Sequence, residues 1–169
     1  LPQVGGSVKF LLLNQAYEPD TVASAQHASD LARELVRQGH SVTVICSRRP
    51  YNGGPAFPAR EILGGVKIHR IGGTSLGKGS LLRRGMDFLT FSLACLLALL
   101  TVPRVDTVIA MTSPPLIASL GALRSLAKGE DLVSWVLDLN PDEAIAAGVI
   151  GEHSFTALLL QSVLRFSLR

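Results

Sequence analysis

The sequence predicts an α/β fold: one open, mostly parallel β-sheet with helices on both of its faces. Three observations carry that expectation. Short apolar runs alternate with longer segments of helical periodicity along the chain, the order expected of βαβ units. The first such run is apolar almost throughout, as a strand buried on both faces is. The composition is 47% hydrophobic and 17% charged, with 16 Gly and only 5% aromatic residues, which suits helices packed on a parallel sheet. At 169 residues the chain can bury one substantial core and is a little short for two ordinary domains, so residues 1–169 are expected to form a single domain.

The elements follow in order. Val8 to Asn14 reads as the first strand, and the polar loop Gln15 to Asp20 leads into a helix from Ala23 to Gln38. In that helix Ala28, Leu31, Ala32, Leu35 and Val36 mark an apolar face, Asp30, Arg33, Glu34 and Arg37 take the other side, and Gly39 supplies the stop. Ser41 to Ser47, with Val42, Val44 and Ile45, is the second strand and completes one βαβ unit. Arg48 to Arg60, rich in Pro and Gly, reads as irregular. Val66 to Ile71 alternates Val66, Ile68 and Ile71 with Lys67 and Arg70, as a strand nearer the sheet edge would, and Gly72-Gly73 closes it. Leu81 to Val102 is a long apolar helix ended by Pro103, and Asp106 to Met111 is the next strand. Ser113-Pro114-Pro115 opens a helix running to about Lys128, Leu132 to Leu137 is the last strand, and helices are expected over Asp142 to Ala147 and Ser154 to Arg169.

Several function classes drop out. The formal net charge is +3, but the basic residues stand in short groups such as Arg48-Arg49 and Arg83-Arg84 and form no stripe, so nucleic acid is not an expected partner. Dispersed cations suit the phosphates of a small ligand or an anionic lipid surface equally well. Cys46 and Cys95 lie inside apolar segments without ligand or disulfide spacing and read as buried, reduced thiols. With no basic-then-apolar leader pattern ahead of the first strand, a cytoplasmic setting is expected, and Leu1 in place of Met reads as a processed or engineered start. Metal binding finds no support in the spacing of His, Cys and carboxylates, and no nucleophile elbow is present. A nicotinamide-dependent enzyme would need a Gly-x-Gly-x-x-Gly turn after the first strand, and Asn14 to Ala23 contains no glycine.

In open parallel sheets ligands sit beyond the carboxyl ends of the strands, which directs attention to Gln15 to Val22, Arg48 to Arg60, Thr112 to Pro115 and Asp138 to Asp142. Thr112 and Ser113, between a strand end and a helix start, could hold a phosphate or sugar oxygen, or simply cap the helix. His27 lies early in the first helix, facing the same loops, either as a ligand contact or as a surface residue. Arg48 to Arg60 either supplies cations to an anionic ligand or is a solvated loop. Met86 to Val102, with Asp87 as its one charge, reads in three ways. It is a buried core helix, a helix seated on a bilayer surface with Lys78, Arg83, Arg84 and Arg104 at the headgroups, or a short membrane span.

Two stretches carry a family resemblance. Leu11 to Ser47 reads LLLNQAYEPDTVASAQHASDLARELVRQGHSVTVICS, and Asp106 to Gly151 reads DTVIAMTSPPLIASLGALRSLAKGEDLVSWVLDLNPDEAIAAGVIG. Both resemble the N-terminal domain of retaining glycosyltransferases of family four, bacterial enzymes of glycolipid and surface-polysaccharide synthesis. The second is the more specific, pairing strand-TSPP-helix with strand-DL-x-P-(D/E)-x-A-x-x-x-G-V. The resemblance implies a Rossmann-like domain forming the acceptor-side half of a GT-B fold, with a separate C-terminal domain, absent from this chain, for the nucleotide sugar.

It further implies transfer of a hexose, with retention, from a nucleotide sugar to a lipid-linked or polysaccharide acceptor. The donor is then a substrate, and neither cofactor nor metal is required. The domain alone should be inactive, and the whole enzyme would work in the cytoplasm, in peripheral contact with the inner face of the membrane. Asp138, at the end of the last strand, matches the family's polar group facing sugar and acceptor, and is the expected catalytic residue; otherwise it caps its own turn. Asn140, Asp142 and Glu143 share that loop as substrate contacts or as acidic residues favoured in a helix's first turn. The chain departs from the family at Val22 and Ala23, where relatives carry a Gly-Gly pair that lets backbone approach the donor phosphates. The alternative is a stand-alone Rossmann-like binding module without transferase activity.

Overall fold

The computed structural model describes residues 6–74, 80–114, 117–137 and 162. Among them, β1 (Lys9–Leu13), α1 (Ala23–Arg37), β2 (Ser41–Ser47), β3 (Arg60–Leu63), β4 (Val66–Ile71), α2 (Leu81–Thr101), β5 (Thr107–Met111), α3 (Ile117–Lys128) and β6 (Asp131–Trp135) follow in sequence. They build one six-stranded sheet in the order β3-β4-β2-β1-β5-β6. Every neighbouring pair is parallel except β3 with β4. This is the Rossmann-like α/β architecture expected from the sequence.

The alternation of side chains along β1 divides the core. Leu11 and Leu13 face one side, where α2 and α3 cover them with Phe91, Cys95, Leu99, Ile117 and Ala118. Leu12 faces the other, under Ala28 and Ala32 of α1, together with Val42, Val44, Ile68 and Met111 from neighbouring strands. Cys46 and Cys95 are free and buried, one in each cluster. The small residues on α1 let the helix sit close to the sheet. Gly121 does the same for α3, since a Cβ there would stand only 3.2 Å from Ala110 Cβ.

β1 is the point at which the order of the strands reverses. From β1 the chain crosses to β2 on one side, and later enters β5 on the other, so the loops after β1 and β5 leave the sheet in divergent directions. The connection into β5 is held at the opposite end by a buried ion pair. Arg124 donates to both Glu130 carboxylate oxygens at 2.7 and 2.8 Å and to the carbonyls of Leu99, Val102 and Pro103 at 2.6, 3.2 and 2.7 Å at the end of α2, where Lys128 Nζ also donates to the Val102 carbonyl at 2.8 Å. Glu130 also accepts from the Val105 amide at 2.9 Å.

One element differs from expectation. β3 pairs antiparallel with β4 through a two-residue turn at Gly64-Gly65, both at positive φ (56° and 83°), so β4 is shielded from the sheet's edge by one more strand. α3 is described from Ile117, whose amide donates to the Pro114 carbonyl at 3.0 Å, and residues 115–116, over which the helix was expected to open, fall outside the described residues. The helices expected over 142–147 and 154–169 fall outside the described residues, Ser162 apart.

Among the described residues, no helix is long and apolar enough to cross a membrane. One face of α2 is core, through Phe91, Cys95, Leu99 and Val102, and the other is exposed.

Candidate functional site

The carboxyl ends of β1, β2 and β5 are sewn together by one residue's backbone. The Gln15 amide donates to the Ser113 carbonyl and the Gln15 carbonyl accepts from the Ser47 amide, each at 2.8 Å. Asn14, fully buried at the end of β1, reinforces the loop from beneath, donating through Nδ2 to the carbonyls of Ala16 (2.6 Å) and Ser24 (3.2 Å). Its short amide reaches both carbonyls from one position, which draws the entry of α1 down onto the end of β1.

The loop after β2 is tied to the loop after β1 in the same way. The Asp20 carboxylate accepts from the Tyr51 amide at 3.1 and 3.3 Å. Arg70 of β4, buried, donates to the Glu18 carbonyl at 2.7 Å, pairs with Glu61 of β3, and stacks its guanidinium 5.2 Å from the centre of the Phe57 ring. Arg33 of α1 pairs with Glu18 from outside. β4 and α1 thus hold the loop at Glu18, and its own buried Ala16 and Tyr17 anchor it in the core.

These loops enclose a cleft of about 400 Å³ lined by Val22, Ala23, Ser24, His27, Tyr51, Ser113 and Leu137. Its position, beyond the strand ends and beside the reversal at β1, is where sheets of this class take ligands. The start of α1 forms one wall. Val22 is its N-cap and offers no side-chain acceptor, and the first turn contains no acidic residue. The Ala25 amide already donates to the Val22 carbonyl at 2.9 Å, so the amides ahead of it, at Ala23 and Ser24, are those left over at a helix end that carries partial positive charge. The wall is therefore suited to an oxygen-rich or anionic group. Val22 has φ −68° and ψ 150°, an ordinary extended conformation, so this backbone uses none of the freedom that a glycine pair would offer.

The expected site residues separate as follows. His27 and Ser113, distant in sequence, line the same cleft. The His27 ring also stands 6.2 Å, centre to centre, from the Trp135 ring at the end of β6. Thr112 is buried, and its hydroxyl accepts from the Leu137 amide at 3.1 Å, linking the exits of β5 and β6. Asp138, Asn140, Asp142 and Glu143 fall outside the described residues. Sequence reasoning missed Tyr51, an exposed aromatic on the loop Arg48 to Arg60, and the lining positions Ser24 and Leu137. An aromatic in a loop at a strand's carboxyl end was the available signal for Tyr51.

Away from the cleft, burial pushes both thiols up to about 12; for Cys46 the nearby Arg70 guanidinium offsets only part of that. Neither is a nucleophile near neutral pH. Among the described residues no cluster of His, Cys, Asp and Glu is placed to hold a metal ion.

A comparison with family models matches residues 23–169 to the one described as glycosyl transferase 4-like domain. The match takes in α1, with its wall of the cleft, and every later element. A search of curated proteins found no match.

Proposed function

The chain belongs to the glycosyl transferase 4-like domain family, and from that premise we propose that it is the acceptor-side half of a transferase moving a hexose from a nucleotide sugar to a lipid-linked or polysaccharide acceptor, with retention at the anomeric carbon. The observation that carries this reading is the cleft at the strand ends, which combines an uncapped helix start with the side chains of His27, Tyr51 and Ser113.

Such a lining suits a glycosyl ligand. Tyr51 offers a flat face to a sugar ring, and His27 and Ser113 offer hydrogen-bonding groups to its hydroxyls. The first turn of α1 is directed to a phosphate or sugar oxygen. In this proposal Asp138, next in sequence to the lining residue Leu137, orients the acceptor hydroxyl or stabilises positive charge developing on the sugar ring, and Asn140 and Asp142 contact substrate. Thr112 acts through the loop it ties to β6. A second domain brings the nucleotide sugar, and closure of the two excludes water, which would otherwise consume the donor. No cofactor is required.

The test joins the chain to its nucleotide-sugar domain in one protein and follows transfer of radiolabelled hexose from a panel of nucleotide sugars to a lipid extract. Transfer with retained anomeric configuration, lowered about a hundredfold or more by Asp138→Asn, is the expected result. Ligand binding with no turnover under any donor would favour a binding module instead. Normal rates in the Asp138→Asn protein would remove that residue from the chemistry.

A further inference from the structure

The loop between β2 and β3 has a firm base and a bare apex. At the base the Phe57 amide donates to the Arg48 carbonyl at 2.8 Å, and Arg48 Nε returns a bond to the Phe57 carbonyl at 3.1 Å. The Arg48 amide donates to the Ile71 carbonyl of β4 at 2.9 Å, and the Phe57 ring lies against the Arg70 guanidinium. Beyond that bracket, Tyr51 to Ala56 are all exposed. Gly53 and Gly54 stand at φ 81° and 126°, in a turn closed by the Gly53 amide on the Pro50 carbonyl at 3.1 Å, and a Cβ on Gly53 would meet nothing within 4 Å. Packing therefore does little to place this apex, although it carries Tyr51, a lining residue of the cleft.

The apex is met from the opposite loop. Both carboxylate oxygens of Asp20 accept from the Tyr51 amide, at 3.1 and 3.3 Å, a bond strengthened by the charge of its acceptor. Asp20 stands on a rigid mount. Its own amide donates to the Tyr17 carbonyl at 3.1 Å, Tyr17 is buried in the core, and Arg70 and Arg33 hold Glu18 by its carbonyl and its carboxylate. The firm side of the contact is thus Asp20, and the yielding side is Tyr51. Ring and amide belong to one residue, so the carboxylate that fixes the amide also sets the arc within which the ring can stand relative to His27 and Ser113 in the shared lining.

We propose that Asp20 is a positioning residue for ligand binding in the cleft, acting through Tyr51: its carboxylate holds the ring where a sugar can stack on it, while Asp20 itself is not part of the lining. This rests on the reading of the cleft as a glycosyl site. The test compares Asp20→Ala, Asp20→Asn, Tyr51→Ala and the Asp20→Ala/Tyr51→Ala pair. In the 169-residue chain, hydrogen exchange at the Tyr51 amide should quicken about tenfold or more in Asp20→Ala and stay within about threefold of the parent in Asp20→Asn, whose Oδ1 still accepts.

The second readout uses the protein joined to its nucleotide-sugar domain, with radiolabelled nucleotide sugar and the lipid extract. Asp20→Ala should raise the apparent KM for lipid about tenfold and leave kcat within about twofold, because a ring that holds ground state and transition state alike affects binding alone. Asp20→Asn should bring KM back near the parent's, and in the Tyr51→Ala background Asp20→Ala should change nothing further. Asp20→Leu, of similar shape and without an acceptor, repeats the comparison should Asp20→Ala fail to fold. Parental exchange at Tyr51 in Asp20→Ala, an equal KM effect with the Tyr51 ring already removed, or an Asp20→Asn protein as impaired as Asp20→Ala would each overturn the proposal. A parent without transfer defeats the glycosyl reading and with it the role given to Asp20; transfer at the parental KM in Asp20→Ala defeats the positioning alone.

Discussion

Glu130 and Arg124 are almost wholly buried, and each bonds backbone groups near the end of α2 as well as its partner. Burial alone would push the Glu130 carboxyl up. The Arg124 hydrogen bonds, the Val105 amide and the charges of Arg124 and Lys128 outweigh it, holding the carboxyl below its ordinary value of 4.5. A carboxyl held lower in the folded than in the unfolded chain contributes stability that is present above the unfolded value and lost as pH falls through the folded one. The melting temperature should therefore decline as pH drops below about 4.5, and decline less steeply in Glu130→Gln. At neutral pH that substitution leaves Arg124 as a buried charge without its counter-ion and should cost about 3–5 kcal/mol in urea unfolding. A pH dependence identical to the parent's would show that other carboxylates govern acid stability.

The two cysteines make a simpler statement at the same scale. With both thiols pushed up to about 12 and both fully buried, a thiol reagent at pH 8 should label neither in the folded protein and both once urea unfolds it. Rapid labelling of one thiol without denaturant would mean that its cluster opens locally.

Among the elements, the β3-β4 hairpin shows what the amino-acid pattern conceals. β3 has four residues, Arg60 to Leu63, none of them buried, so it lacks the alternation by which a strand is read. Its one signal was the Gly64-Gly65 pair between two short runs able to form strands. The longer elements were legible because their apolar residues face a core on a regular period, as α1 and β4 do. The site was half legible. Ser113 and His27 stood out as residues at a strand end and a helix start, but Tyr51 reaches the cleft only because Asp20 and Arg70 hold its loop, a dependence that no local spacing encodes.

The hairpin also offers a controlled comparison. Gly64 and Gly65 both have positive φ, but a Cβ on Gly64 would meet nothing within 4 Å, while one on Gly65 would stand 2.8 Å from Val36 Cγ1 of α1. Gly64→Ala should cost about 1–2 kcal/mol for backbone conformation alone. Gly65→Ala should cost about 1 kcal/mol more, because α1 or the turn must also shift. Equal losses in urea unfolding would show that Val36 yields freely.

For the molecule as a whole, the strand order brings the parts of the cleft together. The reversal at β1 opens a crevice between divergent loops, beyond the two clusters of buried residues that flank the sheet. None of the seven residues that line the cleft is buried, and the ties from the side chains of Asn14 and Asp20 and the backbone of Gln15 reach the lining residues Ser24, Tyr51 and Ser113 through main-chain atoms alone.

Architecture and selectivity are therefore written in separate letters of this chain. A library randomising Val22, Ser24, Tyr51 and Ser113 together should keep most members folded, with melting temperatures near the parent's, while changing which ligands are accepted. Widespread unfolding in such a library would show that the lining also supports the frame. If the frame survives, one scaffold can be retuned to new sugars by drift at its rim, and its descendants would differ most where they are least anchored.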